Sequence, residues 1–461
     1  MSKPDVNVRG PVVADLAAAA GALVHEPGWQ SWSPAGTYRL TDRSPRPTTP
    51  RAQEQFYRPG KPAADGTFQG EGWIAYAPPE GPVRIWHGVN LAETVPTLSL
   101  EVRGGQVVVR ADGDVVERQC DQGLTVAVEQ FAALVASELG AAPVRSLPPG
   151  WSSWLAYGQR IGPEEIQDEL AAMRRSALDV QVVQIDDGWF RGLGDWSVSA
   201  RFGSLPQIAG PIADEGRRLG LWTAPFLVDL RGSVATAHPD WLVDRPPLDL
   251  PFWGTGGAGV LDVTNPDAAE HLHDVFAALT EGGAMLHKVD FLYAGALEGR
   301  RHADCTPVQA YRHGLSLLRQ AVGPDTILLA CGAPLLPSVG LADAMRVSTD
   351  AAEPPRPHGP FDPPWDPPDG DLSQPSLRGA ASASKARRWQ HGRWWANDAE
   401  CILAGPTVSH RERWADALRG HRGLVLSGDR LAGLDARGLQ LTRELLRPSS
   451  PEPMVPLATD T

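Results

Sequence analysis

Three short segments of this 461-residue chain bring acids together with groups that could steer them: Asp186-Asp187-Gly188-Trp189, Lys288-Val289-Asp290 and Arg346 followed by Asp350. Each closes an apolar run. Lys288 and Asp290 are two residues apart, so on a strand they point to one side, where the ammonium would favour an ionised carboxylate. Trp222 ends a further apolar run, Gly220–Pro225. Two carboxylates facing each other across a tryptophan-lined pocket suit glycosidic bond cleavage: one attacks the anomeric carbon, the other protonates the departing oxygen and later activates water. Plainer readings stand beside this one. Asp186 and Asp187 could cap a helix, Lys288 and Asp290 could form a surface ion pair, and Asp350 could be a solvated loop acid.

Metal chemistry is not expected. A hard cation would need more oxygen ligands in a tighter group, and the 12 histidines contain no HExxH pair. The four cysteines, Cys120, Cys305, Cys331 and Cys401, form no CxxC unit, which disfavours structural zinc or a disulfide scaffold and makes a reducing cytoplasm the default. A formal charge of −13 disfavours nucleic acid and anionic membranes as partners. No apolar run approaches the roughly 20 residues of a membrane span. The 16 tryptophans fit core filling, or stacking on the C–H faces of a pyranose.

The elements that must position these groups fall into two rhythms. Residues 1–147 read as a β-sandwich domain, a meander in which Gly104-Gly105 and Asp112-Gly113 supply tight turns between strands. Within it, Gly28-Trp29-Gln30-Ser31-Trp32-Ser33 is too polar for plain core. Leu147-Pro148-Pro149-Gly150 breaks the pattern. From residue 148 to 447, short apolar runs alternate with amphipathic stretches: strands at Trp151–Tyr157, Val180–Ile185, Gly220–Pro225, Met285–Phe291, Thr326–Cys331, Asp343–Ser348, Arg393–Asn397 and Gly423–Ser427, with helices between, among them Ile208–Leu219. Eight strands over about 300 residues predict a (β/α)8 barrel, whose chemistry would sit at the C-terminal ends of the strands. An open parallel sheet would want a Gly-rich phosphate turn after its first strand, and none is present. The proline-dense stretch from Glu353 to Pro375 reads equally as a partial lid or a flexible excursion. Residues 448–461 read as a disordered tail.

Gln184-Ile185-Asp186-Asp187-Gly188-Trp189, Gly194-Asp195-Trp196, Gly220-Leu221-Trp222, His238-Pro239-Asp240-Trp241, Leu261-Asp262-Val263-Thr264-Asn265-Pro266, Lys288-Val289-Asp290-Phe291, Cys331-Gly332-Ala333-Pro334, Met345-Arg346-Val347-Ser348 and Trp395-Ala396-Asn397-Asp398 together resemble the alpha-galactosidases (melibiases) of glycoside hydrolase family 36. The resemblance implies a retaining double displacement on a (β/α)8 barrel preceded by a β-sandwich, with no metal or cofactor. Asp290 would be the nucleophile and Asp350 the acid/base. Asp186 and Asp187 would accept from galactose O4 and O6; Lys288 and Arg346 would hold other hydroxyls and steady the nucleophile. Trp222 and Trp189 would wall the pocket, with Cys331 and Gly332 beside the 2-hydroxyl. Val289 stands where the family has an aromatic residue, Thr349 where a proline or acid is common, and the further β domain of larger members has no counterpart after the barrel. The implied ligand is an α-galactoside oligosaccharide or small glycoside, and self-association is left open. A galactosyl transferase resembling raffinose synthase, an alpha-N-acetylgalactosaminidase, and a catalytically decayed sugar-binding protein remain as alternatives.

Overall fold

A computed structural model of the chain describes residues 10–250, 257–355, 361–367, 369–421 and 423–447. The tail from 448 and parts of the proline-dense stretch therefore lie outside the described residues.

Near the N-terminus two antiparallel sheets face each other. The four-stranded one runs Val12–Ala17, Gln106–Ala111, Thr97–Arg103, Thr67–Glu71, and the five-stranded one Gly36–Arg39, Leu23–Glu26, Trp73–Ala77, Val83–Gly88, Val115–Cys120. Alternate residues from both meet inside: Val24, Ile74, Tyr76 and Trp86 from one, Phe68, Leu98, Leu100, Val107 and Val109 from the other. Gly104 and Gly105 take φ of 57° and 79°, as the two-residue hairpin joining Thr97–Arg103 to Gln106–Ala111 requires. Asp112-Gly113, by contrast, is not a hairpin turn. It carries the chain from the four-stranded to the five-stranded sheet, and Asp112 anchors the crossing by accepting from Thr97 N–H at 2.7 Å.

The segment before the barrel is also less purely β than its composition suggests. Gly123–Leu139 is a helix ended by Gly140 at φ 71°. Val128, Phe131 and Val135 form its buried stripe, and it wedges between sandwich and barrel: Phe131 packs on Trp73, and Trp394 Nε1–H donates to Ala132 O at 2.9 Å.

The barrel is one parallel sheet. Its staves, in ring order, are Gly150–Ser152, Val182–Ile185, Arg218–Thr223, Ala284–Val289, Ile327–Ala330, Ala344–Arg346 and Ala396–Asp398, completed by two short pieces, Gly423–Leu424 and Leu426–Ser427. These two share the eighth position: the first pairs with Ala396–Asp398, the second with Gly150–Ser152, and only Val425 separates them. Stave one is shorter than expected, because Trp154–Tyr157 turns helical. The helix expected to run to Leu219 stops at Asp214, where Gly216 at φ 68° reverses the chain into stave three. Among the described residues no helix is long and apolar enough to cross a membrane.

Candidate active site

The C-terminal ends of the staves open onto a cavity of about 440 Å³ lined by Asp186, Asp187, Trp222, Lys288, Asp290 and Asp350. Asp290 leaves stave four with its carboxylate fixed at both oxygens. Oδ1 accepts from Phe291 N–H at 2.7 Å, and Oδ2 from Trp222 Nε1–H at 3.0 Å. Phe291 holds a left-handed φ of 51°, a strained conformation for a residue with a Cβ. Trp222 thus does two things: its ring forms wall, and its N–H holds one lone pair of Asp290.

Asp186 and Lys288 form a buried pair, Nζ to Oδ2 at 2.8 Å. Burial, the largest influence, would depress the lysine; Asp186, joined by Cys331 and Asp290, outweighs it and holds the ammonium well above its ordinary value. Gln184 Nε2 donates to the same Asp186 oxygen at 3.1 Å, Asp187 N–H to the other at 2.9 Å, and Gln159 Nε2 to Asp187 Oδ2 at 2.7 Å. The lysine's direct partner is therefore Asp186, and it reaches Asp290 only through its field.

Asp350 sits four residues past Arg346, its side chain 28 % accessible from the cavity. Burial, then the Glu400 carboxylate, push its carboxyl up to about 7 against the pull of Arg346 and Lys288. Asp290 also pushes it up, so the two acids feel each other across the cavity.

Several expected residues fall elsewhere. Trp189 is fully buried and donates Nε1–H to the Trp222 carbonyl at 2.9 Å, backing the wall without lining it. Arg346 is also outside the lining. It is buried and grips Asp350, Asp398 and Glu400 at 3.2, 3.0 and 2.9 Å, so it steadies Asp350 rather than Asp290. Cys331 is buried behind Asp290 and Lys288, its thiol pushed well up by burial and then by Asp290. Gly332, at φ 52°, leaves room for Trp32: a Cβ there would stand 2.9 Å from the indole.

Trp32 is one of the N-terminal segment's contributions to the cavity, whereas Trp29 lies apart under Arg58. The Trp29–Ser33 loop is sewn to the barrel by Ser31 N–H to Ala333 O at 3.1 Å and Leu335 N–H to Trp29 O at 3.0 Å. Thr49, Arg51, Gln55, Phe56, Trp154, Glu353 and Gln374 complete the rim. Those from residues 49–56 have no periodic signal in the sequence. Among them Thr49 caps the short helix Pro50–Gln55, a signal legible only once its place is known.

Among the described residues no group of three or more His, Cys, Asp or Glu is arranged to hold a metal ion. The one His-x-His pair, His271 and His273, lies on the helix Pro266–Glu281, where two-residue spacing turns the rings about 200° apart.

Fold and cavity define a (β/α)8 barrel behind an N-terminal β-sandwich, with carboxylates gathered at the mouth. Residues 115–291 match the family model described as Melibiase. The alpha-galactosidase of Escherichia coli is 28 % identical over 217 residues, 43 % of this chain and 29 % of its own length. Alpha-galactosidase AgaA of Geobacillus stearothermophilus is 29 % identical over 170 residues, 34 % of this chain and 23 % of its own. The matched stretch thus spans less than a third of either curated relative. Over the whole fold, the structure of TtGalA, the Thermus thermophilus alpha-galactosidase bound to p-nitrophenyl alpha-D-galactopyranoside, superposes with a TM-score of 0.76 at 26 % identity, covering 95 % of this chain and 90 % of that one. The chain is similar to the alpha-galactosidases, as its motifs implied.

Proposed function

We propose that the chain is a retaining, exo-acting alpha-galactosidase that removes terminal α-linked galactose from oligosaccharides or small glycosides. The observation that carries this reading is the meeting of Asp290 and Asp350, from staves four and six, in one cavity with Asp186, Asp187 and Trp222. Asp290, held from both sides by N–H donors, attacks the anomeric carbon as the glycosidic bond breaks. Asp350, protonated up to about pH 7, gives its proton to the departing oxygen. As a carboxylate it then takes a proton from water, which displaces the sugar from Asp290 with net retention. Asp186 and Asp187 accept from the O4 and O6 hydroxyls. A buried acceptor left unpaired by the wrong epimer penalises glucose strongly. The Thermus relative's complexes with an aryl galactoside and with stachyose support this substrate class.

A panel of aryl α-glycosides differing only in the sugar tests the reading. Turnover of the galactoside alone is expected; equal turnover of the glucoside would overturn it. The pH dependence carries a sign. The first step needs Asp350 protonated, so kcat/KM should hold below about pH 7 and fall above it. Asp350→Ala should cost about 10²–10⁴-fold on alkyl galactosides, which need the acid, and far less on activated aryl ones. Equal losses on both would remove Asp350 from the role.

The same reading divides the molecule near residue 147 into sandwich and barrel. Four free thiols, Cys120, Cys305, Cys331 and Cys401, support a reducing compartment such as the cytoplasm.

A further inference from the structure

Asp350 owes its surroundings to one residue outside the cavity lining. Glu400 is buried just past stave seven, at a left-handed φ of 98° that a glutamate adopts only where its neighbours hold it. Those neighbours are specific. Oε1 pairs with Arg346 Nη2 at 2.9 Å and accepts from Cys401 N–H at 3.0 Å. Oε2 accepts from Ala351 N–H at 2.9 Å, the amide that follows Asp350 directly. Glu400 N–H donates in turn to Asp398 Oδ1 at 3.1 Å. Three carboxylates, Asp350, Asp398 and Glu400, thus share the single guanidinium of Arg346. One guanidinium cannot neutralise three anions in a buried site, and a proton relieves the excess. Of the three, Asp350 is the one open to the cavity, and the proton is useful there.

We propose that Glu400 is a positioning residue for the acid/base: its carboxylate orients Asp350 through the Ala351 amide and, as a like charge sharing Arg346, disfavours a second anion at Asp350. This rests on the reading of Asp350 as the acid. The charged and titratable groups facing Asp350 are Glu400, Arg346, Lys288 and Asp290, with the Cys331 thiol behind them. Of these, Arg346 and Lys288 favour the anion; Glu400 is the strongest opposing charge. Removing its charge therefore moves Asp350 toward the carboxylate form.

The titration of Asp350 is followed directly by ¹³C NMR on the full chain labelled at aspartate, with Asp350→Asn identifying the signal. In Glu400→Gln the midpoint is expected to fall by about one pH unit, and the alkaline limb of kcat/KM for an aryl α-galactoside to fall with it. Glu400→Asp keeps the charge but is too short for the Ala351 amide. Its midpoint should stay close to that of the unmodified chain while kcat for alkyl α-galactosides drops and KM holds. A folded Glu400→Gln chain that titrates unchanged overturns the proposal, as does Glu400→Asp shifting the midpoint as far as Gln does. If Glu400→Gln does not fold, Glu400→Asp decides alone: an unchanged midpoint with the selective kcat loss supports the proposal, and undiminished alkyl turnover overturns it. Failure of the unmodified chain to cleave any α-galactoside would strike the functional reading, and the NMR midpoints would still decide the part assigned to Glu400.

Discussion

Asp290→Gly is expected to reduce hydrolysis by roughly 10⁴-fold or more, because nothing else on stave four can attack the anomeric carbon. The substitution also leaves a space where the carboxylate stood, flanked by the N–H groups of Phe291 and Trp222 that had donated to it. A small anion fits both the space and the donors. Added azide should therefore restore cleavage of an aryl α-galactoside and yield β-galactosyl azide, since it attacks from the face Asp290 occupied. Full activity without azide, or an α-configured product, would show that Asp290 is not the nucleophile. The outcome bears on stereochemistry as well as on residue identity: a β-azide requires a single inversion, and the unmodified reaction then contains two.

Arg387→Met is expected to cost about 3–5 kcal/mol of stability, in the range of breaking a buried charged interaction. Arg387 is buried and, among the described residues, has no carboxylate paired with it; burial pushes its guanidinium down to about 9. It donates instead to five carbonyls, those of Pro27, Gln30, Ser31 and Ser33 in the sandwich loop and of Val347 next to stave six, at 2.7–3.1 Å. Methionine fills similar volume and donates nothing, so several buried carbonyls lose their partners together, each a loss of about 1–3 kcal/mol when unrelieved by water. The same loop carries Trp32 into the cavity, and the Val347 strand leads to Asp350. A second effect should therefore accompany the first: a rise in KM and a fall in kcat in whatever fraction remains folded. Denaturant midpoints and steady-state kinetics on one preparation measure both. A stability change within about 0.5 kcal/mol, the size of an ordinary surface substitution, would show that the carbonyls find other donors.

The alternation of apolar runs and helical stretches made the barrel legible, because parallel staves are buried on both faces and read as short unbroken apolar runs. Acids ending those runs could be located for the same reason: Asp186, Asp290 and Asp350 follow directly from where each stave stops. What each side chain does after leaving its stave was not legible. Trp189 and Trp222 look alike as tryptophans near stave ends, yet one backs the other. The resemblance puts Arg346 on a sugar hydroxyl, whereas its length lets it turn inward to Asp398 and Glu400. Glu400 itself belongs to a polar run after stave seven, and only the folded register brings it under Ala351. The helix Gly123–Leu139 was within reach, since Leu124, Val128, Phe131 and Val135 keep helical spacing and Gly140 ends the run. The β-rich surroundings obscured it. Asp112-Gly113 misled for a different reason: an Asp-Gly pair suits a hairpin locally, but sheet membership of the flanking strands is a long-range property.

The divided eighth stave has a consequence for how the chain reaches this structure. Leu426 and Ser427 pair with Gly150 and Trp151, which lie most of the barrel's length earlier in sequence. The sandwich, by comparison, has all its strands once Cys120 has been made. On a ribosome emitting the chain from its N-terminus, the first unit can therefore assemble while the second still lacks its final pairing. Ring closure then falls to four residues split around Val425, a late, distant and narrow join. Until that join forms, stave one presents an unpaired edge, and the early-formed sandwich with its wedge helix stands beside it.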